Sequence, residues 1–226
     1  IRGTGSAEHR AVAREAVRKS LVVLKNENNA LPINKESTVV VTGSGAENLD
    51  KQCGGWTVTW MGQGSRAVGT SVLAAVKKAV GEDRIASEDS LRSAGAKADV
   101  ALVVVGENPY AEWHGDSENL ALSSEDVASI ERAREVADQV GGVLFSGRQM
   151  IFTASLDKSD AWVAAWLPGS EGDGVADVLF GEFSPVGKLS HSWPRSVEQI
   201  PINVGDDSYD PLFPYGFGLS WSQAAD

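Results

Sequence analysis

The stretch Val100-Ala101-Leu102-Val103-Val104-Val105-Gly106 decides the fold class of this chain. Its residues are apolar throughout, which is typical of a strand buried on both faces of a parallel sheet. Shorter runs of β-branched or apolar residues at Thr38–Thr42, Val143–Phe145 and Ala161–Trp166 predict further strands. The chain is therefore predicted to build around a largely buried sheet.

Amphipathic segments lie between these strands. Apolar residues spaced three and four apart predict helices at Ser6–Lys25, Val68–Val80 and Ser123–Val140, with a shorter helix at Gly174–Phe180. Strands that alternate with helices predict an α/β fold, in which a mostly parallel open sheet carries helices on both faces in flavodoxin-like layers. No internal repeat or linker divides the sequence, so residues 1–226 are expected to form a single α/β sandwich domain.

The composition argues against several classes of function. A formal net charge of -11 argues against nucleic acid and anionic membranes as partners, because both require basic surfaces. No apolar run is long enough to span a bilayer, so membrane insertion is not expected. Cys53 is the only cysteine, which excludes an internal disulfide, and we expect a small packed side chain there. The sequence begins at Ile1 rather than at methionine, so we expect a processed product or a piece of a larger protein.

Two tryptophans lie four residues apart in the stretch Gln52–Trp60. Trp56 and Trp60 follow a pair of glycines, and more glycines flank the stretch, which is typical of a tightly turned loop. A flat indole face on a loop suits the apolar C–H patch of a pyranose ring. The same pattern is equally typical of indoles that cap the core of a turn, and the spacing does not decide between the two interpretations.

The loop Gly106–Glu118 follows the clearest strand and holds four carboxylates, one histidine and two aromatic rings. Ligands of open α/β sheets bind at the carboxyl ends of the strands, where this loop begins. Glu112 lies between Tyr110 and Trp113. Desolvation by aromatic neighbours favours the protonated form of a carboxyl group, which a general acid needs. Glu112 is therefore the candidate general acid, although the local sequence alone is more typical of a solvated acidic loop.

The sequence motifs for nucleotide binding, serine hydrolysis and metal binding are weaker or incomplete. Gly43-Ser44-Gly45 follows a strand but lacks a third glycine, a helix start and the Lys-Ser/Thr pair of a P-loop, so nucleotide binding is not predicted. Ser170 lies in a sequence that imitates the G-x-S-x-G nucleophile elbow, which leaves a serine hydrolase with His191 as an alternative. The three histidines are scattered without metal-ligand spacing, and no metal or other cofactor is expected.

Three segments taken together resemble the second domain of glycoside hydrolase family 3. They are Gln52–Trp60, Val105–Glu112 and Ala165–Leu189. The opening Ala13–Asn26 and the ending Tyr209–Leu219 are also similar to that domain, so the resemblance extends over nearly the whole chain. Jointly these motifs are highly specific, and they resemble most closely the exo-β-glucanase and β-glucosidase branch of the family.

The resemblance implies a retaining enzyme of two domains. In that family a (β/α)8 barrel supplies an aspartate nucleophile, and the α/β domain that follows supplies the acid/base glutamate and part of the sugar-binding wall. Glu112 matches the acid/base position, Trp60 matches the aromatic residue that stacks on the leaving-group sugar, and Trp56 lies beside it. Trp113 and His114 stand in place of smaller polar residues of that branch, which leaves the substrate preference open. Asp160 opens a predicted strand and is expected to be an ordinary residue rather than the nucleophile.

The resemblance covers only the second of these domains, and the barrel is absent from this chain. The chain alone is therefore expected to be inactive. Its expected partners are the barrel domain of the same enzyme and a substrate, either β-glucan or a cello- or laminari-oligosaccharide, from whose non-reducing end glucose is removed. The family also implies a secreted or periplasmic location. The first alternative is a non-catalytic carbohydrate-binding module that uses Trp56 and Trp60, and the second is the Ser170 hydrolase.

Overall fold

A computed structural model of the protein describes residues 5–64 and 67–221. The strands are β1 (Val22–Asn26), β2 (Val39–Thr42), β3 (Ala98–Gly106), β4 (Ala137–Phe145) and β5 (Ala161–Trp166). They form a five-stranded sheet in the order β1-β5-β4-β3-β2 within the described residues. Neighbouring strands from β2 to β5 are parallel, and β1 pairs antiparallel with β5 at one edge. The predicted mostly parallel open sheet is confirmed.

The described residues contain the four predicted helices and three short helices that the sequence pattern does not predict. They are α1 (Ala7–Ser20), α2 (Leu49–Cys53), α3 (Val72–Val80), α4 (Glu88–Ala94), α5 (Ser124–Val136), α6 (Thr153–Leu156) and α7 (Gly172–Leu179). Short 3-10 turns occur at Glu82–Arg84, Glu112–Gly115 and Val197–Gln199. Within the described ranges, no helix combines the length and the apolar character needed to cross a membrane.

Side chains on the strands alternate between two hydrophobic cores, because successive residues of a strand point to opposite faces of the sheet. In β3, Leu102 and Val104 belong to the core that also contains residues of α1, α3 and α7. Ala101 and Val103 belong to the core that contains residues of α4 and α5. Helices therefore cover both faces of the sheet, as the continuous apolar run of β3 predicts.

The helix predicted at Ser6–Lys25 is too long. α1 ends at Ser20, and the residues that follow form the edge strand β1. Val22 and Val23 are fully buried in opposite cores, which is the alternation of a strand rather than the single buried face of a surface helix. The spacing of Leu21 and Leu24 imitates a helix here, and pairing with β5 determines the structure.

Two other predicted helix boundaries are also wrong. The helix predicted at Ser123–Val140 ends at Val136, because Ala137 already pairs with Ala98 as the first residue of β4. The helix predicted to begin at Val68 begins at Val72 instead. The predicted strands and the short helix before Phe180 are confirmed, with starts that differ from the predicted ones by at most six residues and ends that differ by at most one.

The sequence pattern does not predict a helix after Gly43-Ser44-Gly45, yet α2 begins there. Asn48 caps it, because its side-chain oxygen accepts a hydrogen bond from the Lys51 N–H. The helix ends at Gly54, whose φ is +79°. Lys51 and Gln52 are the buried residues of this short helix, which leads directly into the glycine-rich stretch that carries the two tryptophans.

Candidate active site

The carboxyl ends of β2 and β3 are joined by a buried polar network. Lys51 Nζ donates to Ser44 Oγ at 2.7 Å and to the Gly106 carbonyl oxygen at 3.0 Å. Ser44 Oγ donates to Asp126 Oδ1 at 2.6 Å, and Asp126 Oδ2 accepts from the Gly106 N–H at 3.3 Å. The network links a buried cation to a buried anion through the Ser44 hydroxyl group, and it satisfies both the N–H and the carbonyl oxygen of Gly106.

Gly106 forms a sharp corner at the end of β3. A Cβ atom at this position would lie 1.9 Å from the Phe145 carbonyl oxygen, so only glycine fits. From here the chain enters residues 107–118, which we call the β3 loop. This loop contains the candidate general acid, and the buried network fixes the point at which the loop leaves the sheet.

Arg148 lies just after β4 and contacts three residues of the β3 loop. Its Nε and Nη2 both donate to Glu107 Oε1, at 2.9 and 2.6 Å, and its Nη1 donates to the Gly115 carbonyl oxygen at 2.5 Å. The guanidinium carbon lies 4.8 Å from the centroid of the Tyr110 ring. Tyr110 in turn donates its hydroxyl hydrogen to Glu107 Oε2 at 3.2 Å. Burial, followed by the charge of Glu107, raises the pKa of Tyr110, which keeps the phenol a donor.

Glu112 lies within the β3 loop, between the residues that Arg148 contacts. It begins the 3-10 turn Glu112–Gly115 and has a φ of +53°, which is uncommon for a residue other than glycine. Its side chain is exposed and forms no hydrogen bond or ion pair with the described residues. The aromatic neighbours Tyr110 and Trp113 therefore do not bury it in this chain, contrary to the expected desolvation.

Four rings form an aromatic cluster on the surface next to Glu112. The cluster consists of Trp56, Trp60, Trp113 and His114. The Trp60 ring centroid lies 5.6 Å from that of Trp113 and 5.2 Å from that of His114. The relative exposures of Trp56, Trp60 and Trp113 are 67%, 39% and 64%. The two tryptophans of the glycine-rich stretch are thus exposed, and they do not cap the core.

The loop of Trp56 and Trp60 directly contacts the β3 loop. A Cβ atom at Gly55 would lie 1.9 Å from the Tyr110 carbonyl oxygen, so the two backbones meet without an intervening side chain. Gln63 Nε2 also donates to the Pro109 carbonyl oxygen at 3.2 Å. These contacts bring together two segments that are distant in sequence, and they place Trp60 against Trp113.

Two cavities adjoin this arrangement. One of about 570 Å³ borders the β3 loop and the start of α5, and its lining includes Lys51, His114 and Asp116. Another of about 140 Å³ lies between the glycine-rich stretch and the β3 loop, with Tyr110 and Leu167 in its wall. Charged groups of both signs therefore border open space beside the β3 loop, although Glu112 itself lines neither cavity.

The residues of the serine-hydrolase alternative are not arranged for that chemistry. Ser170 Oγ donates to Glu171 Oε1 at 2.9 Å, and Arg10 pairs with the same carboxylate. His191 hydrogen-bonds Ser190 instead, and no histidine hydrogen-bonds Ser170 among the described residues. Ser170 thus lacks the hydrogen-bonded histidine of a serine-hydrolase triad in the described structure, and the carboxylate that it contacts is already paired with Arg10.

Cys53 and Asp160 behave as structural residues. Burial first, and the charge of Asp50 second, raise the pKa of the Cys53 thiol, which disfavours the reactive thiolate. Burial acts to raise the pKa of Asp160, but hydrogen bonds from Val140, Arg134 and Asn28 outweigh it and hold that pKa below its ordinary value. No group of three His, Cys, Asp or Glu side chains that could hold a metal occurs in the described part of the chain.

Arg148 and Lys51 are the site residues that sequence reasoning missed. A signal for Arg148 was present, because Glu107 and Arg148 follow neighbouring strands and carry opposite charges. Parallel strands end at the same edge of a sheet, which brings such residues together. Lys51 had no comparable signal, because its role depends on the short helix α2, which the pattern did not predict.

A protein-family model described as "Glycosyl hydrolase family 3 C-terminal domain" matches residues 21–221. Among curated proteins, a periplasmic β-glucosidase of Salmonella typhimurium is 29% identical over 95% of this chain and 35% of its own length. The chain spans about a third of the length of the curated relatives of this kind.

Solved structures of glycosidases are also similar to this chain, and it again covers about a third of each. An exo-1,3/1,4-β-glucanase from a Pseudoalteromonas species is 44% identical, with a TM-score of 0.86, over 96% of this chain and 29% of that one. A β-glucosidase from Listeria innocua, solved in complex with glucose, is 25% identical with a TM-score of 0.82, over 96% of this chain and 34% of that one.

Proposed function

Because this chain belongs to the family of glycosyl hydrolase family 3 C-terminal domains, we propose that it carries the acid/base group of a retaining exo-acting β-glucosidase or β-glucanase. The enzyme removes glucose from the non-reducing ends of β-glucans. Glu112 is the acid/base residue, and Trp60 with Trp56 binds the leaving-group sugar. The relatives named for β-glucosidase and exo-1,3/1,4-β-glucanase activity support this substrate class.

The observation that supports this proposal is the position of Glu112 beside the aromatic cluster. Glu112 is exposed and unpaired among the described residues, so its carboxyl group is available to a glycosidic oxygen. Trp113, the next residue, contacts Trp60, and both indoles are exposed at this edge of the sheet. A sugar stacked on these rings would have its linkage oxygen close to the carboxyl group.

The chemistry requires a second carboxylate. In a retaining glycosidase one carboxylate attacks the anomeric carbon while the other protonates the departing oxygen, and the two groups lie about 5 Å apart. We assign Glu112 to protonation of the departing oxygen and then to removal of a proton from the attacking water. The nucleophile comes from a (β/α)8 barrel, which is the partner domain and covers the face that bears the aromatic cluster.

Covering this face also supplies the desolvation that the isolated chain lacks. Burial beneath a partner disfavours the charged form of a carboxyl group, which suits the acid role in the first step. The exposed apolar residues at this edge (Trp56, Val58, Trp113 and Leu167) are consistent with a surface that a partner covers. We also propose a secreted or periplasmic location, which the periplasmic relative supports.

The first experiment measures hydrolysis of 4-nitrophenyl β-glucoside by the purified 226-residue chain and by the same chain joined to a barrel domain. We expect no turnover by the chain alone and turnover by the joined protein that falls strongly in Glu112→Gln. Turnover by the chain alone that is lost in Glu112→Gln would show that a second catalytic carboxylate lies within these residues, and the assignment of the nucleophile to a barrel would be wrong.

A second candidate function is sugar binding without catalysis, which the exposed aromatic cluster favours. The isolated chain would then bind gluco-oligosaccharides with a Kd of about 1 mM, and Trp60→Ala would abolish the binding. Tyr215→Ala is the matched control, because Tyr215 is an exposed aromatic residue outside the cluster. Binding by the chain together with an inactive joined protein would favour this candidate.

A further inference from the structure

We propose that Arg148 is the positioning residue that holds Glu112 in place for proton transfer to the leaving group. This inference rests on the proposed function, because it concerns the same acid/base step. Glu112 forms no hydrogen bond or ion pair with the described residues, so its own side chain does not fix its position. The position of its carboxyl group must therefore come from the backbone on either side.

Arg148 contacts the β3 loop on both sides of Glu112, through two side chains before it and through one backbone carbonyl after it. Before Glu112 it donates two hydrogen bonds to Glu107 and lies over the ring of Tyr110. After Glu112 it donates to the Gly115 carbonyl oxygen at 2.5 Å. One guanidinium group thus bridges the two ends of the short segment that carries the acid. Arginine suits this role because its planar fork presents several donors in fixed directions, whereas a lysine ammonium is a single point of charge.

Arg148 and its main partner are themselves anchored to the sheet. Ser146, which is buried, accepts a hydrogen bond from the Arg148 N–H at 3.0 Å and donates its hydroxyl hydrogen to the Arg148 carbonyl oxygen. The Glu107 N–H donates to the Phe145 carbonyl oxygen at 3.0 Å. Both members of the Arg148–Glu107 ion pair lie just after strands of the sheet and are hydrogen-bonded there. The ion pair therefore fixes the β3 loop relative to the sheet.

The burial of this ion pair also favours a rigid arrangement. The Arg148 and Glu107 side chains are 27% and 12% exposed, and charge-assisted hydrogen bonds in such an environment are stronger than neutral ones. Tyr110 occupies the second oxygen of Glu107, so the carboxylate has defined partners on both oxygens. Arg148 does not contact Glu112 in the structure, and it acts through Glu107, Tyr110 and Gly115.

The test compares leaving groups in the complete enzyme, in which this chain is joined to its barrel. A dinitrophenolate departs without protonation, whereas the sugar alcohol of cellobiose departs only with the help of the acid. Arg148→Lys is expected to lower kcat/KM for cellobiose about 100-fold, the size of effect that a misplacement of about 1 Å produces. The kcat/KM for 2,4-dinitrophenyl β-glucoside is expected to change little.

Arg134→Lys is the matched control. Arg134 also pairs with a largely buried carboxylate, that of Asp160. Asp160 lies at the amino ends of the parallel strands, whereas the β3 loop lies at their carboxyl ends. In this variant, kcat/KM is expected to change by the same factor for cellobiose and for 2,4-dinitrophenyl β-glucoside. In the 226-residue chain, hydrogen exchange of the amides of residues 110–115 should be faster in Arg148→Lys than in Arg134→Lys, which reports on the loop without requiring activity.

The outcomes separate this inference from the function on which it rests. Selective loss on cellobiose in both Glu112→Gln and Arg148→Lys, with faster exchange in the latter, supports the positioning role. Selective loss in Glu112→Gln alone, or an equal loss on both substrates in Arg148→Lys, overturns the positioning role and leaves the proposed function intact. Absence of selectivity in Glu112→Gln itself overturns both.

Discussion

The ring of Trp113 lies 5.6 Å from the ring of Trp60, centroid to centroid, although the two residues belong to loops that are distant in sequence. Both rings are exposed, so the contact is not part of either hydrophobic core. The contact joins the tryptophan that matches the sugar-stacking position to the residue that follows the candidate acid. The geometry of the two loops is therefore coupled at the point where a substrate would bind.

A double-mutant cycle measures this coupling. The free energy of unfolding of the chain is compared for Trp60→Ala, Trp113→Ala and the double variant. We expect an interaction energy of about 0.5–1 kcal/mol, which is typical of an aromatic pair. The control cycle pairs Trp60→Ala with Tyr215→Ala, in which the second aromatic residue is exposed outside the cluster and no coupling is expected. Additive effects in the first cycle would show that the two rings do not interact in solution.

Gly55→Ala is expected to separate the two loops. The added Cβ atom would lie 1.9 Å from the Tyr110 carbonyl oxygen, so one backbone must move, at a cost of about 1–3 kcal/mol in the free energy of unfolding. Displacement of the loop should shift the indole N–H signal of Trp113 in an NMR spectrum.

Gly64→Ala is the control for this variant. Gly64 lies in the same glycine-rich region, and a Cβ atom there would meet nothing within 4 Å, although its φ of +57° disfavours alanine. This control should lose some stability and leave the Trp113 signal in place. An unchanged signal in Gly55→Ala as well would contradict the close approach of the two backbones.

Asp160→Asn should destabilise the chain in a pH-dependent way. The carboxylate accepts hydrogen bonds from Arg134, Val140 and Asn28, and its pKa in the folded state lies below the ordinary value. A lowered pKa contributes stability that is present above the unfolded pKa and is lost as the pH falls through the folded one. We expect the variant to lose about 2 kcal/mol at neutral pH. That difference should narrow below about pH 4.

Urea unfolding of the wild type and of Asp160→Asn over a series of pH values checks this expectation. Asp138→Asn is the matched control, because Asp138 is an exposed carboxylate in the neighbouring strand β4 and should affect stability little. A stability difference for Asp160→Asn that is constant from pH 7 to strongly acidic pH would show that the charge of Asp160 contributes nothing.

Much of the fold could be predicted from the sequence, because strands that are buried on both faces appear in the sequence as continuous apolar runs. Val100–Gly106 and Ala161–Trp166 are strands in the structure, with the second matching its predicted bounds. The edge strand β1 could not be predicted, because its residues continue the apolar spacing of α1 and only pairing with β5 separates the two. Tertiary pairing overrides local periodicity at this junction.

The candidate site was only partly predictable, because it depends on contacts between loops. Family resemblance singles out Glu112 and Trp60, but nothing in the local pattern places Trp60 against Trp113. That contact requires the glycine at position 55, where two backbones meet. The pairing of Glu107 with Arg148 follows from their places at the ends of neighbouring parallel strands. This contact could be predicted from the strand topology together with the opposite charges of the two residues.

The proposed role of Glu112 can be tested by removing its side chain in the complete enzyme and adding azide, because an acid/base residue and a nucleophile predict different glucosyl azide products. Without an acid/base group, the glycosyl-enzyme formed on the nucleophile cannot activate water, and it accumulates. Azide needs no general base, so it attacks the same face of the sugar that water would attack.

The most direct measurement is the stereochemistry of the glucosyl azide formed by Glu112→Gly, joined to the proposed barrel domain, from 2,4-dinitrophenyl β-glucoside and sodium azide. We expect azide to accelerate turnover and the product to be β-glucosyl azide, because two inversions retain the configuration. α-Glucosyl azide would show that Glu112 is the nucleophile, and the absence of any glucosyl azide or acceleration would show that it is not the acid/base residue.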